Sequence, residues 1–94
     1  SNENDARAIL LLENIKQVIK FNKEKTNPLY GKIDEENIAI AGHSRGGESV
    51  STAYLFNEYD VYPDNGNIKF DYNFSIKSII AIAPTAMIDL IEKL

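Results

Sequence analysis

Ninety-four residues, 44% hydrophobic and 26% charged, make at most one small globular domain with a modest core. A net charge of −4, with lysines and arginines scattered, gives no electrostatic case for nucleic acid or an anionic membrane surface as partner. The absence of cysteine removes disulfides and thiolate metal sites, and the early apolar run Ala8 to Leu12 is too short for a signal core or a membrane span.

The first predicted element is a helix over residues 6–22. Ala8, Leu11, Leu12, Ile15, Val18 and Ile19 recur at three- and four-residue spacing, and Arg7, Glu13, Lys16, Gln17 and Lys20 take the other face. Asn2 or Asn4 can cap it and Asp5 suits its first turn. An apolar stripe of this width reads as a helix packed on a sheet. Residues 23–36 are polar and carry Pro28 and Gly31, and a residue before proline is pushed towards extended geometry, so the helix ends before Asn27. The acidic run Asp34-Glu35-Glu36 reads as a solvated surface.

A strand is expected over 38–43. Its core, Ile38-Ala39-Ile40-Ala41, has no polar alternate, the pattern of a parallel strand covered on both faces. A tight turn over 42–47 leads to a helix over 46–58, with Val50 and Ala53 facing the sheet and Glu48 in the first turn. Pro63-Asp64-Asn65-Gly66 then marks a turn-rich insertion. The acids and amides Asp60, Asp64, Asn65, Asn67 and Asp71 do not follow the spacing of a calcium loop and read as turn chemistry. Ile68, Phe70, Tyr72, Phe74 and Ile76 alternate with polar residues, as in an extra strand or an extended arm with one buried face. Asn73-Phe74-Ser75 is a formal glycosylation sequon, without weight unless the chain is secreted. A second all-apolar strand is expected over 78–83; Pro84 stops it, and Thr85 can cap a last helix over 86–94. The order is therefore helix–strand–helix–strand–helix with parallel strands, an α/β arrangement in a single partial domain spanning 1–94.

The chemistry concentrates in Gly42-His43-Ser44-Arg45-Gly46-Gly47. By composition alone, G-x-S-x-G turns up in roughly 3% of chains this long, so the flanking strand and helix carry the argument. A serine at the tip of a sharp strand-to-helix turn is forced towards positive φ, and the turn closes only when the residues two before and two after it are very small. Gly42 and Gly46 meet that demand, and Gly47 lets the helix lie close to the sheet. The Ser44 hydroxyl is then lifted clear of the backbone, and the Arg45 N–H is placed to donate to a developing oxyanion.

This stretch resembles the α/β-hydrolase superfamily, and within it the bacterial esterase and lipase-like serine hydrolases whose turn reads G-H-S-x-G-G. The run Asn27-Pro28-Leu29-Tyr30-Gly31-Lys32-Ile33-Asp34 and the strand end Ala81-Ile82-Ala83-Pro84 are similar to that group as well. The resemblance spans roughly residues 5 to 86 and covers only the middle of the family's fold, a three-layer αβα sandwich. It implies that helix 6–22 lies on the sheet face opposite the helix after the turn. It also implies a nucleophile in Ser44, an oxyanion donor in the Arg45 N–H, a small-molecule ester or acyl substrate, an acyl-serine intermediate, and no cofactor or metal.

A serine needs a base, and the base needs an orienting acid, in the chain order nucleophile, acid, histidine. After Ser44 the chain has Asp60, Asp64, Asp71 and Asp89 but no histidine. The single histidine, His43, neighbours the serine, and adjacent side chains at a strand end point opposite ways; it is expected to pack beneath the turn. The expectation is a nucleophile-bearing segment that is nearly inert by itself, its acid, base and second oxyanion donor lying elsewhere. The alternative is a degenerate, non-catalytic hydrolase-like interaction module. Two parallel strands cut from a sheet leave open edges, so self-association or a missing remainder of the chain is expected.

Overall fold

The computed structural model describes residues 2–82. Helix α1 spans Asn2–Lys23, strand β1 Ile38–His43 and helix α2 Arg45–Phe56. Strands β2 (Val61–Tyr62), β3 (Asn65–Lys69) and β4 (Ile76–Ile82) follow. The expected helix over 86–94 and the last residue of the strand over 78–83 lie outside the described residues. The α/β core of two helices and two parallel strands is as the sequence implies, with boundaries shifted. α1 starts four residues before the expected 6–22 and takes Asn4 into its first turn, α2 runs 45–56 in place of 46–58, and β4 begins at Ile76 in place of Ser78.

β1 and β4 pair in parallel, Ala39 against Ser78 through His43 against Ile82, with an irregularity after Ile38 where β4 holds one extra residue. β2 and β3 form a separate antiparallel hairpin turned by Pro63-Asp64. Here the Asn65 carboxamide oxygen accepts the Asn67 N–H at 3.0 Å, the local turn chemistry expected of this insertion. From the hairpin the chain returns through an extended segment, residues 70–75, to β4. The alternation over 68–76 is thus divided between a strand, an arm and a second strand. Ile68 is exposed, whereas Tyr72 and Ile76 are buried and Phe70 and Phe74 pack against the core.

One hydrophobic cluster holds the elements together: Ala8 and Leu12 of α1, Ile40 of β1, Val50, Ala53 and Phe56 of α2, and Tyr72 and Ile76. Ala8 and Ala53 are fully buried and, having no bulk, let the helices approach closely. Leu12 is the largest side chain completely removed from water, worth about 2 kcal/mol. Around Phe56 the rings of Tyr62, Phe70, Tyr72 and Phe74 follow one another at centroid separations of 5.2–6.2 Å, which fastens the arm to α2. Asn57, 2% exposed, completes the attachment. Its amide donates to the Phe74 carbonyl and its oxygen accepts the Phe74 N–H, both at 2.8 Å, as a neighbouring strand would.

The layering differs from the expectation in one respect. α1 is not on the sheet face opposite α2. Both helices cover the face bearing Ile38, Ile40 and Gly42: Ile40 shares the core with Leu12 and Val50, and Ile38 closes an apolar groove of about 200 Å³ against Ile15, Val18 and Ile19 of α1. Among the described residues β1 is accordingly covered on one face only. Ala39, Ala41 and His43 on the other face are exposed, as are Ile80 and Ile82 beside them on β4. The run Ile38–Ala41 lacks polar alternates without being buried on both sides, because alanine is small enough to sit on either face. No helix among the described residues is long and apolar enough to cross a membrane.

Candidate active site

β1 delivers the chain to Ser44 and α2 leaves from it. Ser44 has φ 58° and ψ −118° and is the one non-glycine residue at positive φ among the described residues. A conformation of this kind costs about 1–3 kcal/mol in a residue with a Cβ and persists only when its surroundings over-determine it. Two main-chain bonds do so here. The Ser44 N–H donates to the Ile82 carbonyl at 2.8 Å, carrying the β1–β4 ladder one residue beyond the strand, and the Ser44 carbonyl accepts the Gly47 N–H at 3.0 Å.

Ser44 stands at the N-cap of α2, where a serine side chain ordinarily accepts a bond from the first turn, worth about 1 kcal/mol. Its hydroxyl makes no such bond. The strained backbone thus precedes a helix that its own side chain does not cap. Arg45 is the first helical residue, so its N–H belongs to the group that no carbonyl of the helix can satisfy. The positive end of the helix dipole lies at the same place.

The glycines divide unequally. A Cβ on Gly42 would collide with the carbonyl oxygen and carbon of Gly46 and come within 2.9 Å of the Gly47 nitrogen, so strand end and helix start touch through backbone at that point. Gly47 is buried in the first turn of α2. Gly46 departs from the expectation: a Cβ there meets no heavy atom within 4 Å. The close approach is between the Cα side of Gly42 and the carbonyl side of Gly46, so only the first of the pair needs to be glycine for lack of space.

His43 also departs from it. It is exposed on the uncovered sheet face, beside Ile82, and not packed beneath the turn. Alternation puts Gly42 on the helix-covered side and His43 on the other. The imidazole therefore stands apart from the α2 side of the turn.

Of the acids that follow Ser44, Asp71 takes the Lys16 ammonium at 2.8 Å. That hydrogen bond holds the Asp71 carboxyl below its usual range and pushes Lys16 up. Asp64 accepts from the Tyr62 hydroxyl at 3.5 Å. Asp89 lies outside the described residues. Among the described residues no group of three or more His, Asp and Glu side chains could hold a metal ion. The site as described consists of Ser44, the Arg45 N–H and the backbone that shapes them.

The chain matches no family model, no curated protein and no solved structure at a significant level.

Proposed function

We propose that this chain is the nucleophile-bearing segment of a serine hydrolase of the α/β-hydrolase type, acting on carboxylic esters or related acyl substrates. The observation that carries the reading is the conformation of Ser44: positive φ at a strand-to-helix turn, Gly42 against the Gly46 backbone, and a hydroxyl that does not cap its own helix. A turn that merely joined a strand to a helix would hold at this position either a glycine, free of the strain, or a serine whose hydroxyl caps the helix. In the proposed reaction the Ser44 Oγ attacks the acyl carbon and its proton passes to a histidine base. The oxyanion accepts from the Arg45 N–H, and water then releases the acyl group. The base and its acid are supplied from outside the described residues, and the larger three-layer sandwich is part of the same proposal.

The test uses the polypeptide at its natural length. Ser44→Ala lowers kcat on an activated ester by about 10⁴-fold or more, while the 94-residue chain alone shows no turnover that Ser44→Ala abolishes. Turnover in the natural polypeptide that survives Ser44→Ala overturns the reading.

A second reading, a non-catalytic interaction module, is favoured by the uncovered sheet face and by strands β1 and β4 being paired only with each other among the described residues. Parallel strands are ordinarily covered on both faces, so either further chain or a second copy covers these.

A further inference from the structure

Resting on the reading of Ser44 as a nucleophile, we infer that Asn4 is a positioning residue for the turn that carries it. Asn4 lies in the first turn of α1, 40 residues before Ser44, and is half-buried against α2. Its carboxamide oxygen accepts from the Ser49 hydroxyl at 2.8 Å, and its amide nitrogen donates to the Thr52 hydroxyl at 2.8 Å. One side chain therefore grips two positions of α2 that lie three residues apart. Ser49 is 6% exposed, and its hydroxyl also reaches the Arg45 carbonyl at 3.2 Å. A route of two contacts, Asn4 to Ser49 and Ser49 to Arg45, leads from α1 to the residue whose N–H is the proposed oxyanion donor.

The chemistry of the contact explains what it can do that packing cannot. Directly below it the helices meet through Ala8, Leu12 and Ala53, side chains that tolerate sliding of one helix along the other. An amide bonded to two hydroxyls three residues apart favours one register, since a slip along the helix breaks both part-buried bonds. Asn4 so fixes the axial position of α2 and, through it, the point where the helix begins. The Ser49 hydroxyl could turn entirely to the Arg45 carbonyl four residues back, a bond that bends helices; the Asn4 oxygen draws it the other way. The strained Ser44 needs a helix start that cannot drift, and the polar clamp lies on the first eight residues of that helix.

The experiment is amide hydrogen exchange on the natural polypeptide, read at the Ser44 and Gly47 amides. The first is bonded to the Ile82 carbonyl of β4 and the second to the Ser44 carbonyl within the turn. Asn4→Leu keeps volume and apolar packing. It is expected to leave the thermal midpoint within a few degrees, speed exchange of these two amides about tenfold and slow phosphonylation of Ser44 by a similar factor. Asn4→Asp, whose carboxylate accepts from both hydroxyls, restores both. Unchanged exchange in Asn4→Leu overturns the inference, and so does an acceleration shared equally by all of α2, which reports stability and not position. Ser44→Ala separates the two claims: phosphonylation that persists in it removes the hydrolase reading, while the exchange result still stands or falls alone.

Discussion

At Ser44 the backbone and the side chain make opposite demands. A serine before a helix gains by capping it and by avoiding positive φ, and this one does neither. Both losses act in one direction, leaving the hydroxyl uncommitted to the helix and beside the first N–H groups of α2. The neighbouring glycines show how the conformation is enforced. Gly42→Ala drives a methyl group into the Gly46 backbone, which cannot move without undoing the turn, and is expected to cost about 1–3 kcal/mol. Gly46→Ala adds a methyl group in open space at a helical position and is expected to leave stability unchanged or raise it by up to about 1 kcal/mol. Urea unfolding of the two variants checks the asymmetry; equal losses would show that the turn closes by a different contact. The sequence motif alone treats both glycines alike, since spacing reveals that two residues approach but not which atoms meet.

Among the elements, those whose residues carry their own reasons were legible. β1 is an apolar run between the polar Asn37 and a glycine turn. α2 follows from Glu48 in its first turn and from Val50 and Ala53, exposed 3% and 0%, at helical spacing. What escaped were features fixed by partners far along the chain. Asn22 donates to the Ile33 carbonyl and accepts its N–H, and so fixes where the connection leaves α1. Asn57 does the same for Phe74, and Asn4 for two hydroxyls of α2. An asparagine in a polar sequence gives no sign of which of these it will do. The face occupied by His43 was equally hidden, because a strand's alternation separates its two sides without telling which side the helices take.

The arm between α2 and β4 is strapped to α1 by side chains of the same kind. The Tyr62 hydroxyl donates to Asp5 at 2.7 Å and the Tyr72 hydroxyl to Glu13 at 2.6 Å, while Lys16 bonds Asp71. The bond to Asp5, with some burial, pushes the Tyr62 phenol up to about 12 from its usual 10.0. Burial and then Glu13 raise Tyr72 as well. A phenol raised on folding adds stability that is fully present below its unfolded value and fades as pH rises through the folded one. The stability difference between the natural sequence and Tyr62→Phe is therefore expected to be constant from neutrality to about pH 10 and to shrink as pH approaches 12. Denaturant unfolding across that range checks it, with tyrosinate absorbance as the internal titration. A difference that grows with alkali would mean that the phenolate, not the phenol, is the bonded form.

For the whole molecule the deciding feature is what the helices leave uncovered. α1 and α2 share one face of a two-stranded parallel sheet, and the other carries Ala39, Ala41, Ile80 and Ile82 into solvent, with Ile80 and Ile82 more than half exposed. A surface of this kind is suited to burial. The 94-residue chain is expected to associate in light scattering, and Ile80→Lys, which places a charge on that face opposite Ala41, to lower the associated fraction. A monodisperse, well-folded monomer would contradict the expectation.

If the strained conformation of Ser44 serves nucleophilic attack, the serine is open to covalent capture. The natural polypeptide is treated with a fluorophosphonate, digested, and its adduct mapped by mass spectrometry. One adduct is expected, on the Ser44 hydroxyl, absent from Ser44→Ala and absent after denaturation. A folded polypeptide that takes up no phosphonate, or one whose adduct is unchanged in Ser44→Ala, would show that the turn presents its serine for some other purpose.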